Sequence, residues 1–428
     1  MKTRHEFRRE AVGERLLDPE TLMLGYGFDP TLSEGAVKTP IFLTSTFAYP
    51  TCEEGKRLFD YMSGRRPLPK GQDAGLIYTR FNNPNLQIVE ERLAVLERAE
   101  SCAVFSSGMA AILTSLLATT EPGQVVLTSR PLYGGTETLF DNLLARLGVR
   151  RLSFFDGADP DAVRKAADEA KALGTVAAIY VESPANPTNS VVDLNLISEV
   201  AAELATAQGQ KPTVIVDNTL LGPLYQQPLI HGSDLVVYSL TKYVGGHSDL
   251  IAGSVAGKSD PMRRVRSLRN LIGNQLDVHS CWMLTRSLET LRLRMDKAFA
   301  NAVEVATWLR SQPQVESVDY LGFAPEGSRQ AEVISAQCAA HGATFSFTVK
   351  GGEAAAFRML DSLNVVKLAV SLGGTESLAC HPASTTHSGV SANERAFLGI
   401  SEGLIRISIG LESAADLIAD LSVGLANI

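Results

Sequence analysis

Lys242 has the surroundings in this sequence that most clearly point to chemistry. It lies in SLTKYVGGHSD, directly after an apolar run at 235–238 that predicts a buried strand, and a second apolar run follows at 251–255. A charged amine between two buried segments costs free energy unless it is paired, and burial lowers the pKa of such an amine. A lysine of this kind can form a Schiff base with an aldehyde. The ordinary alternative is a lysine whose head reaches solvent, but Ser239, Thr241 and a Gly-Gly pair favour a crowded polar site.

The aldehyde cofactor of amino-acid chemistry is pyridoxal phosphate, and other residues suit its parts. Its pyridinium nitrogen needs a carboxylate, and Asp217 ends the predicted strand TVIVD, although an aspartate there could also be a helix cap. Its phosphate needs the free N–H groups of a helix start, which Ser107, Gly108 and Met109 in FSSGMAAI would supply. Tyr133 in PLYGG could stack on the ring.

Asn186 in the SPANPT turn could form a hydrogen bond with the ring oxygen. Like the residues above, it follows a short apolar run that predicts a strand. From about residue 83 such β-branched runs alternate with helical stretches, which predicts a largely parallel sheet covered on both faces. Ligands of such sheets bind at the carboxyl ends of the strands, so the sequence predicts one site at that edge.

The patterns together predict an α/β protein with three regions. Residues 1–75 are expected to form an irregular N-terminal arm that contacts a neighbouring subunit, 76–285 a large cofactor-binding domain, and 286–428 a small C-terminal domain. After residue 258 two long helical stretches, CWMLTRSLETLRLRM and AFANAVEVATWLRS, precede an α+β segment with strands at ATFSFTV, VVKLAVSL and LIRISIG.

The composition argues against several classes of partner. The formal net charge of the 428 residues is −8 and there is no basic stripe, so neither nucleic acid nor an anionic membrane is expected to bind. The five cysteines are odd in number and lack CxxC spacing, which predicts reduced thiols and no metal site. No apolar run approaches the ~18 residues of a membrane span, and the first residues are too charged for the apolar part of a signal peptide. We therefore expect a soluble cytoplasmic protein.

Eight segments together carry a resemblance to a known family. They are YTRFNNPN, SSGMAAI, LYGGT, ESPANPT, VDNT, SLTKYVGGHSD, SLGGTESLACHPASTTHS and LIRISIGLE. In this order they resemble the Cys/Met-metabolism family of pyridoxal-phosphate enzymes from about residue 36 to the end, with residues 62–75 looking like an insertion. The family includes methionine γ-lyase, cystathionine γ-lyase, cystathionine γ-synthase and the homoserine-ester sulfhydrylases. The resemblance implies fold type I of the pyridoxal-phosphate-dependent transferases, with pyridoxal 5′-phosphate as cofactor and a small amino acid as substrate.

The resemblance also implies a role for each residue of the site. Lys242 would carry the Schiff base and, once released by substrate, would move protons between the reacting carbons. Asp217 would hold the pyridine nitrogen, and Tyr133 would stack on the ring and act as an acid toward the leaving group. Glu182 and Asn186 would line the 3′ side of the ring. The phosphate would be held by Gly108, Met109, Ser239 and Thr241.

Residues from a second subunit and from the small domain are implied too. Tyr78 and Arg80 would reach the phosphate from the adjacent subunit, so that a dimer forms the active unit, usually within a homotetramer. Arg406 would clamp the substrate α-carboxylate with help from Ser371. Periodicity alone does not decide whether Arg406 is a ligand-binding residue or an exposed arginine on an edge strand. The isoleucines on either side alternate with it, and both cases would give this pattern.

The substrate's side chain is where the family branches, and three positions bear on it. Relatives that use cystathionine place charges where this chain has Ile77, Thr138 and Val370. The distal ammonium and carboxylate of cystathionine would therefore lack partners, at a cost of several kcal/mol. A short apolar tail such as S-methyl fits Ile77 and Val370 better. We therefore expect γ-elimination on methionine or homocysteine, which gives 2-oxobutanoate, ammonia and a thiol.

Departures from the methionine γ-lyase pattern keep γ-replacement open as an alternative. Gly135 stands where those lyases typically have a cysteine, Arg269 and Asn270 stand in place of Lys-Asp, and HPASTTH is similar to the sulfhydrylases. In γ-replacement an O-acylhomoserine loses its acyl group and a thiol adds, as in a sulfhydrylase or cystathionine γ-synthase; cystathionine γ-lyase is a further alternative.

Two hypotheses come from other classes. A nicotinamide dehydrogenase would need GxGxxG where CAVFSSGMAAI has one glycine. A catalytically silent family member would turn over no γ-substituted amino acid.

Overall fold

The computed structural model describes residues 7–67 and 75–428. Its strands in chain order are β1 (Ala11–Val12), β2 (Arg15–Leu16), β3 (Ser101–Phe105), β4 (Val125–Ser129), β5 (Arg150–Phe154), β6 (Val176–Glu182), β7 (Thr213–Asp217), β8 (Leu235–Ser239), β9 (Gly253–Gly257), β10 (Val315–Asp319), β11 (Thr344–Val349), β12 (Lys367–Leu368), β13 (Leu378–Cys380) and β14 (Leu404–Ser408). Its α-helices are α1 (Pro19–Gly25), α2 (Cys52–Met62), α3 (Pro84–Leu96), α4 (Gly108–Leu117), α5 (Gly134–Thr138), α6 (Pro160–Leu173), α7 (Leu194–Gln208), α8 (Gly222–Tyr225), α9 (Ser259–Ile272), α10 (Val278–Leu288), α11 (Leu291–Arg310), α12 (Arg329–Gln337), α13 (Gly352–Asp361), α14 (Ala392–Phe397) and α15 (Ala414–Ala426). Short 3-10 turns lie at Pro30–Leu32, Ala145–Leu147, Pro228–His231, Leu321–Phe323 and Pro382–Ser384, and Leu139–Leu144 is a π-helix.

Seven strands form one large sheet in the order β3-β9-β8-β7-β6-β4-β5. Strands β4 to β8 pair in parallel, whereas β9 pairs antiparallel with both β8 and β3. Because β3 and β8 both oppose β9, they run in the same direction, and the carboxyl ends of all strands but β9 lie at one edge. The prediction of a largely parallel sheet is confirmed.

Helices cover both faces of this sheet. Helices α4 and α9 pack on one face, where Ile215 and Val237 belong to the buried cluster. Helices α6 and α7 pack on the other face, against Val214 and Val216. Successive residues of β7 therefore enter two different cores, and this is why TVIVD is apolar over several successive residues instead of alternating.

A smaller sheet follows in the order β10-β11-β14-β13-β12. The predicted strands ATFSFTV and LIRISIG form β11 and β14, but the strand predicted at VVKLAVSL is wrong over most of its length, because only Lys367–Leu368 pairs as β12. The chain leaves the sheet three residues later at Ser371, whose φ of 101° lies outside the strand region.

The stretch CWMLTRSLETLRLRM is two helices and not one, since α10 ends at Leu288 and α11 begins at Leu291. In the gap, the carbonyl of Ser287 accepts hydrogen bonds from the Arg294 guanidinium (2.9 Å) and from Thr290 Oγ1 (3.4 Å). The same carbonyl also accepts from Thr290 N at 3.2 Å, so a tighter turn and two side chains satisfy a group that a continuous helix would pair with the N–H four residues later.

The N-terminal arm packs on the large sheet's own helices as far as the structure describes it. On α3, Arg92 Nη1 donates to Met23 O and Arg92 Nε donates to Tyr26 O at 3.1 Å. On α10, Trp282 Nε1 donates to Thr39 O at 3.0 Å. The contact of the arm with another subunit and the boundaries at 75 and 285 stay predictions. Of the suspected insertion at 62–75, residues 68–74 lie outside the described residues, as do residues 1–6. Within the described ranges, no helix is both long and apolar enough to cross a membrane.

Candidate active site

A cavity of about 570 Å³ opens at the carboxyl edge of the large sheet and is closed on its other side by residues of the small sheet and its loops. The residues expected at the site that line it are Gly108, Met109, Tyr133, Glu182, Asn186, Asp217, Ser239, Thr241, Lys242, Val370, Ser371 and Arg406. The strand ends thus meet as the parallel topology requires.

Lys242 follows β8 and is largely buried in this cavity. Its Nζ donates to Ser371 Oγ at 2.8 Å. Burial, with a smaller contribution from the charge of Arg406, lowers the pKa of Lys242 to about 8. The amine therefore has a much larger neutral fraction near neutral pH than an exposed lysine, which makes it a competent nucleophile and base.

Two buried carboxyl groups lie side by side on neighbouring strands, because Glu182 at the end of β6 is paired in register with Asp217 at the end of β7. Asp217 Oδ1 accepts from Thr219 N (3.0 Å) and Oγ1 (2.6 Å), and its Oδ2 accepts from the Tyr180 hydroxyl (3.3 Å). Burial raises the pKa of both carboxyl groups, and the neighbouring charge of Asp217 raises that of Glu182 further. This part of the cavity therefore favours a cation or an N–H donor.

The start of α4 provides a place for an anion. Ser107 caps the helix by accepting from Ala110 N at 3.0 Å, so the first N–H groups of α4 face the cavity edge. A Cβ on Gly108 would lie 2.9 Å from Ser239 Cβ, so only glycine allows the helix start to come this close to the end of β8. Thr241 stands nearby, its Oγ1 accepting from Ala252 N at 2.9 Å.

Arg406 lies on β14, which is an inner strand of the small sheet, and it is 3% exposed. It is therefore not an exposed edge-strand arginine. Its Nη2 donates to Ser371 O at 2.7 Å and its Nη1 to Asn186 Oδ1 at 3.2 Å. Among the residues that the structure describes, its buried Nε has no hydrogen-bond partner. A guanidinium with donors left over at a cavity wall suits a carboxylate ligand.

Three residues expected at the site lie outside this cavity in the single chain. Ile77 is buried elsewhere, and Tyr78 is 41% exposed. The Arg80 guanidinium lies 4.4 Å from the centre of the Phe81 ring and donates to Asn270 O. The contact of Tyr78 and Arg80 with a second subunit, and that of Ile77 with the substrate, stay predictions.

The sequence reasoning missed several residues that line the cavity, among them Thr219, Thr385 and Thr386. The last two lie in HPASTTHS, which carried the resemblance without a role for its threonines. Their segment packs closely on the Tyr133 loop, since a Cβ on Gly134 would lie 2.0 Å from Thr386 O.

The positions that depart from the methionine γ-lyase pattern differ in their surroundings. A Cβ on Gly135 would lie 2.5 Å from the Tyr133 ring, so any larger residue there would displace that ring. Arg269 is buried away from the cavity, where it pairs with Glu90 at 2.5 Å and donates to Val104 O at 3.1 Å.

Residues 20–426 match the family described as "Cys/Met metabolism PLP-dependent enzyme". The chain belongs to this family. The match begins earlier than the residue 36 expected from the motifs, so part of the arm is within it. The chain is accordingly a pyridoxal-phosphate-dependent enzyme of fold type I.

Individual relatives agree with this assignment over nearly the whole chain. The chain is 39% identical to an L-methionine gamma-lyase of Treponema denticola over 92% of its own length and 93% of the relative's. It is 39% identical to an L-methionine gamma-lyase of Pseudomonas putida over 95% and 96%. Among solved structures, it superposes on a cystathionine gamma synthase from Xanthomonas oryzae pv. oryzae with a TM-score of 0.85 and 32% identity, covering 96% of this chain and 99% of that one.

The cavity fits the cofactor of this family. A phosphate suits the helix start that Gly108 brings against Ser239, a ring nitrogen suits the buried carboxyl of Asp217, and an aldehyde suits the amine of Lys242 with its lowered pKa.

Proposed function

We propose that this enzyme catalyses γ-elimination of L-methionine or homocysteine. One substrate molecule and one water give 2-oxobutanoate, ammonia and the thiol. The observation that carries the proposal is the charge of the cavity wall: among the described residues lining it, the charged side chains are Glu182, Asp217, Lys242 and Arg406. All four lie beside the proposed cofactor position or the α-carboxylate clamp, and a second amino-acid end, as in cystathionine, would find no charged partner.

Pyridoxal phosphate supplies the electron sink that stabilises negative charge next to the amino group. We propose that Gly108, Met109, Ser239 and Thr241 hold its phosphate, and that Asp217 holds its ring nitrogen. The hydroxyls of Ser239 and Thr241 and the first N–H groups of α4 would donate hydrogen bonds to this phosphate.

Lys242 acts as the amine that holds the cofactor and as the base at the substrate Cα. Its pKa of about 8 leaves a usable neutral fraction, and Ser371 Oγ, 2.8 Å from Nζ, orients it. Arg406 binds the α-carboxylate from strand β14 of the small sheet, with Asn186 Oδ1 and Ser371 O fixing the guanidinium. The Tyr133 ring, which lines the cavity, would stack on the bound cofactor, and its hydroxyl would donate a proton to the departing thiolate.

The end of the substrate side chain meets an apolar wall. Val370 is 54% exposed and Ile251 is 67% exposed, and both line the cavity. These side chains suit S-methyl better than a charged group. The names of the Treponema denticola and Pseudomonas putida relatives support the same substrate.

A second candidate is γ-replacement on an O-acylhomoserine. The observation that favours it is Gly135, which leaves its space to the Tyr133 ring and has no thiol to offer. The similarity to the Xanthomonas oryzae cystathionine gamma synthase structure supports it as well. The two reactions differ at the substrate γ-carbon, which gains a proton in elimination and a thiol in replacement.

A dimer is part of the proposal, with Tyr78 and Arg80 reaching the phosphate of the other subunit and a tetramer as the assembled form. Two large apolar side chains near this segment are exposed, as expected of a surface that a partner covers. Leu271 (80%) follows Asn270, and Leu43 (83%) precedes Thr44, whose carbonyl accepts from Thr79 Oγ1. The free cysteines support a reducing compartment such as the cytoplasm.

The test compares kcat/KM for methionine, cystathionine, and an acylhomoserine with sulfide, with Lys242→Ala as the blank. We expect 2-oxobutanoate and methanethiol from methionine at a higher kcat/KM than cysteine from cystathionine. A preference for cystathionine would defeat the charge argument, and faster replacement than elimination would establish the second candidate.

A further inference from the structure

Glu182 makes two short hydrogen bonds that the roles above do not use. Its Oε2 accepts from Tyr133 N and its Oε1 from Asn186 N, both at 2.7 Å. The side chain is 5% exposed at the end of β6. Each carboxylate oxygen is thus occupied by a backbone donor from a different loop.

Both loops carry residues that the proposed function needs. Tyr133 is the N-cap residue of α5, and its own backbone N–H is held by Glu182. Asn186 accepts from Arg406 Nη1 at 3.2 Å, and Arg406 in turn donates to Ser371 O. One carboxylate therefore connects, through the backbone, to the stacking ring on one side and to the carboxylate clamp on the other.

We propose that Glu182 is a positioning residue, which fixes the Tyr133 ring and the Asn186 amide by accepting both backbone N–H groups. This deepens the proposed function and rests on it. It adds to the expectation that Glu182 lines the 3′ side of the ring, which stays a prediction.

The chemistry of the side chain explains why a glutamate serves here. A carboxylate offers acceptors on both oxygens, whereas the amide of glutamine would turn an NH₂ toward one of the two N–H groups. Placing a second acid in register with Asp217 is unfavourable in a buried site, and the two backbone donors offset part of that cost.

The test is Glu182→Gln in the full-length, cofactor-loaded enzyme, beside Glu97→Gln as a matched control. Glu97 is also buried and also accepts a hydrogen bond, from Tyr238, but it does not line the cavity. The first readout is the visible circular dichroism of the bound cofactor at equal cofactor absorbance, which reports the asymmetry of the ring's surroundings. The second is the separation of kcat from KM for methionine.

In Glu182→Gln we expect an altered cofactor dichroism and a fall of about tenfold in kcat/KM, with both KM and kcat affected because both loops shift. Glu97→Gln should match the wild type in both readouts.

An unchanged dichroism with unchanged kinetics would overturn the proposal. So would a variant that binds less cofactor or melts at a lower temperature but has wild-type kcat and KM when activity is expressed per bound cofactor. If Glu182→Gln does not fold, Glu182→Asp, which keeps both oxygens but is one methylene shorter, should show the same dichroism change, and a wild-type signal would overturn the proposal. If the wild type fails to turn over methionine, the proposed function fails, while the dichroism still decides the role of Glu182.

Discussion

At Lys242 two effects act on one amine in the same direction. Burial removes water from the charged form and the Arg406 guanidinium repels it, so the pKa falls to about 8. At Asp217 and Glu182, burial acts on acids and raises the pKa instead. The cavity thus holds an amine and two acids whose charged forms are all disfavoured until a ligand supplies complementary groups.

The lysine's lowered pKa predicts a stability effect in the cofactor-free protein. Because the folded pKa of about 8 lies below the unfolded value of 10.5, the charged lysine destabilises the folded state below pH 8, and this penalty is relieved as the pH rises from 8 to 10.5. Lys242→Met should therefore raise the free energy of unfolding at neutral pH by about 2–3 kcal/mol. Urea unfolding of the apoprotein measures this, and the gain should disappear as the pH approaches 10.5.

Lys165→Met on the exposed side of α6 is the control and should change little at any pH. A gain for Lys242→Met that does not depend on pH would contradict the explanation.

At the scale of elements, the loops that close the cavity fit together with little room. Ser371 takes a φ of 101°, and from there its hydroxyl meets Lys242 and its carbonyl meets Arg406. A non-glycine residue in this region is strained, and strain of this kind is maintained where surrounding contacts over-determine the conformation. The chain therefore leaves the strand conformation after β12, and Ser371 makes its two contacts at the site from the conformation that results.

The approach of Gly134 to Thr386 predicts the effect of one added methyl group. In Gly134→Ala the Cβ would lie 2.0 Å from Thr386 O, so either the Tyr133 loop or the segment around Thr386 must move. We expect a loss of about 1–3 kcal/mol of stability and a fall of at least about tenfold in kcat/KM. Thermal unfolding and steady-state kinetics measure the two effects.

Gly25→Ala on α1 is the matched control, because no described residue outside its chain neighbours and the backbone of its own helix comes within 4 Å of its Cβ position. It should be neutral or slightly stabilising. Full activity in Gly134→Ala would mean that these two segments are free to separate.

At the scale of the whole molecule, the proposed dimer divides the site between two chains. Arg80→Ala and Lys242→Ala should each be nearly inactive alone. In a heterodimer of the two, one site receives an intact Lys242 from one chain and an intact Arg80 from the other, so about half of the wild-type activity should return. Activity of purified heterodimers carrying two different tags measures this.

The matched control pairs Lys242→Ala with Tyr133→Ala, two residues that line the same cavity of one chain. No heterodimer site then has both residues, so activity should stay low. If the Arg80 and Lys242 pair shows the same low activity as the control pair, Arg80 and Lys242 belong to the site of the same chain.

Sequence alone determined the sheet and the strand-end residues of the site, because in a parallel sheet the carboxyl ends meet at one edge whatever the details of packing. This is why the sequence predicts that Lys242, Asp217 and Ser239 lie together. Alternation along β14 showed that Arg406 and its isoleucine neighbours face opposite ways, but not which face meets the cavity.

Only the tertiary structure decided the contacts between segments far apart in the chain. No local sequence pattern indicates three of these contacts. They are the hydrogen bond of Tyr133 N to Glu182, the close approach of Thr386 to Gly134 and the ion pair of Arg269 with Glu90. The first joins the end of β6 to the loop after β4 at the edge of the large sheet, the second joins loops of the two sheets, and the third joins helices α9 and α3. Their distances therefore depend on the whole fold.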